Sequence, residues 1–351
     1  MKNCCTQCFK DYYLKETIIR FNKKKDCDYC NAKNVFVIDT NILQEYFEPF
    51  LNLYEPIKRY YTIKRKKSTN QRIWDRLAKD WNIFSNDLIN TKGLLIQILD
   101  KYKKSPIFKN NVRLISSIKI PPGRTSLLEN IWDEFSEELK HSNRYFPLKE
   151  VDKDKLVSLL QYLEYKIPKN KIYYRARNSF KDKKFDPSDL GKPPEDKTRN
   201  GRANPIGISY LYLASDNKTA ISEIRPSLLD RITIGKFKVT SELIVIDLRY
   251  ISPFSFARDE DFEYLIKDLK YLDKLGTALS KPLNPLDAEL EYLPTQYLCE
   301  FIKRKDWDGV LYRSSLSGGS NLALFNDDKV ECLKTFLYQV LNLSYDFKLV
   351  K

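Results

Sequence analysis

The chain has 351 residues, of which 42% are hydrophobic and 31% are charged, and its formal net charge at pH 7 is +14. This length and composition suit about two domains with apolar cores. No apolar run approaches the ~20 residues that a membrane span needs, and the first residues lack the apolar core of a signal peptide. These features exclude a membrane-spanning protein and predict a cytoplasmic one.

The positive charge by itself does not indicate a nucleic-acid-binding protein. Lysine and arginine are spread along the whole chain, and dense basic runs occur only at residues 23–25 and 64–67. Nucleic-acid binding usually requires a concentrated basic face. We therefore expect no nucleic-acid partner, and the charge is better suited to attracting a polyphosphate ligand.

Five of the seven cysteines lie within the first thirty residues. Cys5 and Cys8 form one C-x-x-C pair, and Cys27 and Cys30 form a second. Two such pairs can direct four thiolates at one zinc ion, which leaves no open position for a substrate. Cys4 fits less well, because only Cys5 keeps the two-residue gap to Cys8. The sequence thus predicts a structural zinc site, with reduced thiols or a redox pair as the alternative.

The region after the cysteines is predicted to be mainly helical. An apolar run at residues 35–43 resembles the first strand of a PIN-type nuclease, but no second strand–helix unit follows it. We interpret it as the chain leaving the zinc knuckle and entering a helix capped by Asp39 or Thr40. Residues 70–145 show helical periodicity. The only histidine, His141, lies at a helix end, where a catalytic role is not expected.

From residue 168 onwards, shorter strand-like runs replace the helices. Residues 231–239 and 241–248 are predicted to be paired strands, and residues 322–325 the final core strand. Strands and helices do not alternate regularly, so the prediction is an α+β fold rather than a Rossmann fold. We expect a zinc knuckle at 1–35, a helical domain at 36–166 and an α+β domain at 167–351.

Polar residues stand where the α+β domain would normally place apolar ones. Arg175 lies in a strand-like run, Arg202 in a glycine-containing turn, Glu223 in a short helix and Ser314 in a glycine- and serine-rich loop. Together they predict a nucleotide-handling site.

Five sequence blocks, in order, resemble the RES domain family over about residues 172–327. They are YRAR at 174–177, GRANP at 201–205, LYLA at 211–214, AISEIRP at 220–226, and YRSS…GGSNLALF at 312–325. The N-terminal half is similar to the HEPN/RES N-terminal domain, through its C-x-x-C pairs and residues 132–146. No arginine stands four to six residues before His141, so a regulatory or assembly role is expected there rather than ribonuclease activity.

The resemblance implies an ADP-ribosyltransferase-like fold and an NAD-degrading toxin of the RES–Xre type. Such enzymes release nicotinamide by phosphorolysis or hydrolysis, and some members transfer ADP-ribose to a protein. The implied partners are NAD as substrate, inorganic phosphate, an antitoxin or regulatory protein, and a second copy of the chain. A non-enzymatic module that binds nucleotides or nucleic acid is a third possibility.

The resemblance also implies roles for individual residues. Cleavage of the nicotinamide–ribose bond builds an oxocarbenium-like centre, which the carboxylate of Glu223 would stabilise. The forked guanidinium groups of Arg175 and Arg202 suit phosphate oxygens better than lysine would. The implied catalytic residues are Arg175, Glu223 and Ser314, and the implied NAD-binding residues are Tyr174, Arg202, Asn204, Tyr212, Ser315 and Asn321.

Each of these assignments has a simpler alternative. Arg175 would then be a surface strand residue, and Glu223 would only pair with Arg225 or Arg202. Ser314 and Ser315 are not separated by the sequence, although the family spacing of a serine two residues after the tyrosine favours Ser314.

Overall fold

The computed structural model describes residues 2–57, 71–115, 127–179, 183–284 and 287–344. The basic run at 64–67 lies outside these ranges. The helices are α1 (Tyr12–Arg20), α2 (Gln44–Asn52), α3 (Ile73–Trp81), α4 (Thr91–Ile98), α5 (Pro106–Lys109), α6 (Leu127–His141), α7 (Lys153–Gln161), α8 (Asn217–Glu223), α9 (Phe262–Leu265), α10 (Leu269–Ser280), α11 (Ala288–Glu291) and α12 (Leu293–Lys303). None of these helices combines the length and the apolar composition needed to cross a bilayer.

The strands contain three to ten residues each, except for a two-residue β2. They are β1 (Asn3–Cys5), β2 (Lys24–Lys25), β3 (Val35–Asp39), β4 (Tyr54–Pro56), β5 (Val112–Leu114), β6 (Glu164–Ile167), β7 (Ile172–Asn178), β8 (Leu211–Ala214), β9 (Arg231–Val239), β10 (Leu243–Asp247), β11 (Gly309–Arg313), β12 (Ser320–Leu324) and β13 (Val330–Gln339).

The chain divides into two compact units. The first contains residues 1–127 and 250–271, and the second contains residues 128–249 and 272–351. The segment 250–271 therefore leaves the second unit and folds with the N-terminal residues. The predicted boundaries at 35/36 and 166/167 differ from this division and stay predictions.

The first unit is mainly helical, with a small antiparallel sheet in the order β1-β3-β2. As expected, β3 leads from the cysteine region towards a helix. The side chain of Asp39 accepts a hydrogen bond from the backbone nitrogen of Asn41 at 3.0 Å and so caps the helical turn before α2. Aromatic side chains form much of the core, and Phe254 of the returning segment lies 4.8 Å from Phe50 between ring centroids.

The second unit is built on eight strands in the order β13-β9-β7-β8-β12-β11-β10-β6. One junction in this order is much weaker than the others. Strand β7 pairs with β9 through seven residue pairs, but with β8 only through Tyr174 and Ala214. The eight strands thus form a three-stranded part and a five-stranded part that separate on either side of this pair.

Two short links show that these parts fold back on each other. Three residues join β9 to β10, and four join β6 to β7. In a flat sheet β9 and β10 would be five strand spacings apart, or ~24 Å, whereas a three-residue link spans at most ~14 Å. The two parts must therefore face each other, with a core between them. That core contains Tyr173, Leu213, Phe237, Val245 and Leu322, drawn from both parts.

The α+β class is confirmed, but two predictions about the strands are wrong. Strands β9 and β10 are not paired: β9 pairs with β7 and β13, whereas β10 pairs with β6 and β11. The predicted final strand at 322–325 corresponds to β12, and it is followed by β13. Most of β13 is exposed, because it lies at the edge of the sheet, so it lacks the apolar run that marked the core strands.

Gly309 offers a test of the contact between β11 and β12. A Cβ atom at this position would collide with the backbone carbonyl oxygen of Ala323 on the paired strand, and the strand backbone cannot move aside. We expect Gly309→Ala to lower the free energy of unfolding by about 1–3 kcal/mol. Urea unfolding followed by circular dichroism measures the change.

Gly318→Ala is the matched control, because among the described residues, apart from its chain neighbours, no atom lies within 4 Å of the Cβ position there. If both variants unfold at the same urea concentration as the wild type, the close approach of the two strands is wrong.

Candidate active site

A cavity of about 510 Å³ lies where β7 and β8 separate, a size suited to a small ligand. Each of the two strands contributes three consecutive residues to it, and α8 and the ends of β11 and β12 complete one side. Three arginines and one glutamate line the cavity, which favours an anionic ligand. The charged and polar lining residues are Tyr174, Arg175, Asn200, Arg202, Tyr212, Glu223, Arg225, Tyr292, Tyr312, Ser315 and Asn321.

Glu223 is the only carboxylate that the described residues contribute to this lining, and two side chains fix it. Its Oε1 atom accepts hydrogen bonds from Ser314 Oγ at 2.6 Å and from Asn321 Nδ2 at 2.7 Å. Helix α8 places it, because the helix begins at an Asp216 cap that accepts from the backbone nitrogen of Thr219 and ends at Glu223. Within the described residues, Oε2 has no hydrogen-bond partner and is available to a ligand.

The structure separates the positions of Ser314 and Ser315. Ser314 is buried, and its hydroxyl accepts hydrogen bonds from the backbone nitrogens of Leu316 and Ser317, both at 3.1 Å, while it donates to Glu223. Its hydrogen-bonding capacity is therefore used within the protein. Ser315, rather than Ser314, lines the cavity.

Arg175 brings a partly buried positive charge to the cavity. Its Nη1 atom is buried and has no hydrogen-bond partner among the residues that the structure describes. Burial, together with the positive charge of Arg177, lowers the pKa of Arg175 to about 10. A guanidinium group with an unpaired nitrogen in a cavity is prepared for an anionic ligand, because a buried donor without a partner is otherwise unfavourable.

Arg202 lies on the segment 199–208, of which residues 200–202 line the cavity. Its Nη1 atom donates to the carbonyl oxygen of Lys281 at 2.6 Å, and its guanidinium lies 5.4 Å from the ring centre of Tyr292. Asn204 is turned away from the ligand space. Its Nδ2 donates to three carbonyl oxygens within the segment, and its Oδ1 accepts from the Tyr212 hydroxyl at 2.6 Å.

Of the predicted site residues, the cavity lining includes Tyr174, Arg175, Arg202, Tyr212, Glu223, Ser315 and Asn321, but neither Ser314 nor Asn204.

The cavity is also lined by residues that were not selected from the sequence. One is Tyr312. Burial raises the pKa of its hydroxyl well above the usual range, so this group is neutral. Its position in a strand, two residues before Ser314, was the feature of the sequence that could have indicated a place in the cavity. Arg225, which was not among the predicted site residues, also lines the cavity, and its φ of 47° is unusual for a residue other than glycine. No pattern in the sequence around Tyr292 indicated that it would line the cavity.

The four predicted metal ligands meet in the first unit. The sulfur atoms of Cys5, Cys8, Cys27 and Cys30 all lie within 4.8 Å of one another. The separation is 3.8 Å for Cys5–Cys8 and 3.4 Å for both Cys5–Cys30 and Cys8–Cys27. Four sulfurs bound tetrahedrally at ~2.3 Å from one zinc ion lie ~3.8 Å apart. This cluster can therefore hold a metal ion, and Cys4, which donates to the carbonyl oxygen of Ile38, is not part of it.

Comparisons with known proteins agree with the position of the cavity. The model of the family described as RES domain matches residues 172–346, a range that includes every residue of the cavity lining. A search of curated proteins finds no match.

Among solved structures, the chain is similar to a chain of the M. tuberculosis MbcT–MbcA toxin–antitoxin complex. The two share 14% sequence identity, and the alignment covers 53% of this chain and 92% of that chain, with a TM-score of 0.32. So low a score does not establish a common fold. The match to the family model does identify the region around the cavity: through residues 172–346, the chain belongs to the RES domain family.

Proposed function

We propose that the chain is an NAD-consuming enzyme that cleaves the bond between nicotinamide and ribose. The observation that carries the proposal is a carboxylate, Glu223, held by Ser314 and Asn321 in a cavity that also contains the unpaired guanidinium of Arg175. A fixed negative charge suits a ribosyl cation, and a free positive charge suits a pyrophosphate. NAD contains both groups, about one nucleoside length apart.

Glu223 has the properties that bond cleavage requires. When nicotinamide leaves with the bonding electron pair, positive charge develops on the ribose ring. A carboxylate that is already oriented stabilises this charge without reorganising during the reaction. Ser314 and Asn321 supply that orientation through Oε1, which leaves Oε2 to face the ribose.

The arginines provide binding for the rest of the molecule. Arg175 and Arg202 would bind phosphate oxygens, and the rings of Tyr174 and Tyr212 would pack against the bases. Burial raises the pKa of Tyr212, so its hydroxyl stays neutral and continues to bond Asn204. Asn204 would then act by shaping the segment that carries Arg202.

The final step depends on the acceptor. Water would give ADP-ribose and release a proton, whereas inorganic phosphate would give ADP-ribose-1-phosphate. A protein side chain as acceptor would make the chain an ADP-ribosyltransferase, which is the second candidate function. The ADP-ribosyltransferase-like fold belongs to the same proposal, and the facing sheet parts with a cavity at their junction support it.

Further proposals concern the partners of the chain, its metal site and its helical region. An uncontrolled NAD consumer would harm its host, so an antitoxin or regulatory protein is expected to restrain it, and the chain is expected to form a homo-oligomer. The four-cysteine cluster is proposed to bind zinc as a structural ion, because it consists of thiolates only. The helical residues after it are proposed to have a regulatory or assembly role.

Glu223→Gln tests the proposed reaction. The amide keeps the size of the side chain but lacks the negative charge, so kcat for NAD consumption should fall by about 10²–10⁴-fold. Nicotinamide release is measured by chromatography, with and without phosphate, and the product identifies the acceptor. Glu300→Gln, an exposed change on α12, is the control. If NAD is not degraded but a protein becomes labelled with ADP-ribose, the transferase is favoured. If NAD stays intact and no protein is labelled, the remaining candidate is a non-enzymatic binding module.

Arg175→Met should separate stability from binding. The buried charge is unfavourable in the free protein, and because the pKa of Arg175 is lowered, the penalty is present at neutral pH and is relieved only above about pH 10. Replacement by an apolar side chain of similar length should raise the free energy of unfolding by roughly 1–3 kcal/mol and weaken NAD binding. Thermal unfolding and calorimetric titration with NAD measure the two effects. A variant less stable than the wild type would contradict this account of Arg175.

Cys8→Ser tests the zinc proposal. The serine hydroxyl is not deprotonated at neutral pH, so the variant should lose metal, whereas the wild type should contain about one zinc ion per chain. Mass spectrometry of the purified proteins measures the zinc content. Cys4→Ser, a buried cysteine outside the cluster, is the control and should keep its zinc. Equal zinc content in all three proteins would exclude the four-cysteine site.

A further inference from the structure

The segment that carries Arg202 is held from outside the cavity by the first turn of α12. The Nε2 atom of Gln296 donates to the carbonyl oxygens of Gly201 at 2.9 Å and Asn204 at 3.1 Å. Its neighbour Thr295 donates through Oγ1 to the carbonyl oxygen of Arg202 at 2.6 Å. Gln296 is 5% exposed and does not line the cavity.

These bonds supply partners that the local backbone does not provide. Residues 199–208 belong to no helix or strand, so their carbonyl groups have no partners in a regular backbone ladder. One turn is closed by the backbone nitrogen of Gly201, which donates to the carbonyl oxygen of Asn204 at 2.9 Å. A Cβ atom at Gly201 would collide with Asn204 Oδ1 and the hydroxyl oxygen of Tyr212, so this turn is packed tightly against its neighbours.

The consequence is that the backbone of Arg202 is fixed before a ligand arrives. Helix α12 holds its carbonyl group and those of Gly201 and Asn204 on either side. The guanidinium is in turn oriented by the carbonyl oxygen of Lys281 and the ring of Tyr292. Losing the Gln296 amide would leave the carbonyl group of Gly201 without a donor among the described residues, and the carbonyl group of Asn204 with only the backbone nitrogen of Gly201, which favours movement of the turn.

We propose that Gln296 is a positioning residue, which holds the turn at residues 201–204 so that Arg202 meets a phosphate group of the dinucleotide. The inference rests on the proposed NAD-consuming function, because that function supplies the phosphate. Arg202 binds a group remote from the reacting bond, so it contributes equally to the ground state and the transition state. Disturbing Gln296 therefore affects KM and leaves kcat nearly unchanged.

The test is a double-mutant cycle measured by NAD consumption. Gln296→Ala and Arg202→Ala should each raise KM by about tenfold, with kcat changed by less than about threefold. The double variant should have the same KM as Arg202→Ala alone, because Gln296 acts only through Arg202. A residue with a merely structural role would instead lower the amount of active enzyme and hence kcat, with KM unchanged.

Two more variants show whether the hydrogen bonds are responsible. Gln296→Met keeps the length of the side chain but removes the donor, so it should raise KM as much as Gln296→Ala. It also replaces the alanine variant in the test if that variant does not fold. Glu300→Ala, an exposed change one turn further along α12, should leave KM unchanged. Calorimetric titration of NAD into the same variants in the Glu223→Gln background measures binding without turnover.

The possible results distinguish the two proposals. The positioning role is overturned if the KM increases of the two single variants multiply in the double variant, or if Gln296→Met has the KM of the wild type. The proposed NAD consumption stands in either case. A wild type that neither consumes nor binds NAD would overturn the proposed function, and the positioning role with it. If Gln296→Ala, Arg202→Ala and the double variant show equal increases in KM, and the titrations reproduce them, both the positioning role and the proposed function are supported.

Discussion

The single residue pair between β7 and β8 is the constraint on which the second unit depends. Because Tyr174 and Ala214 are the only pair, the strands separate beyond it and leave a space that both of them line. The short links from β6 to β7 and from β9 to β10 hold the two parts of the sheet face to face, so the core closes although the sheet opens. The same geometry therefore provides both the stability of this unit and its ligand cavity.

The two central charges of the cavity are held in opposite ways. Glu223 is oriented by two donors to one oxygen, whereas Arg175 has a buried nitrogen that finds no partner in the described part of the chain. An oriented carboxylate needs no rearrangement when positive charge develops beside it, and an unpaired guanidinium gains most from an anion that arrives. The protein thus tolerates an unfavourable group at the position where binding would relieve it, as enzymes commonly do.

The sequence predicted those parts of the site that lie within short blocks. Arg175, Glu223 and Asn321 could be selected because each lies in a short sequence block that resembles the RES family, and all three line the cavity. Tyr292, between α11 and α12, and Gln296, in α12, lie about ninety residues after the turn at residues 201–204, and no local pattern indicates such a contact. The pairing of β9 with β10 was wrong because adjacency in sequence suggests a hairpin, whereas the folded-back sheet places its neighbours elsewhere. The exposed strand β13 gave too weak an apolar pattern to be recognised.

The segment 250–271 limits how the chain can be divided. It lies inside the range that matches the RES family, yet it folds with the N-terminal residues and places Phe254 and Phe262 near Phe50. A fragment that begins after residue 127 would keep these aromatic side chains but lose the core that covers them, which favours aggregation. The backbone also passes between the units three times instead of once, so each unit is assembled from two separate stretches of the chain and neither is a simple terminal module.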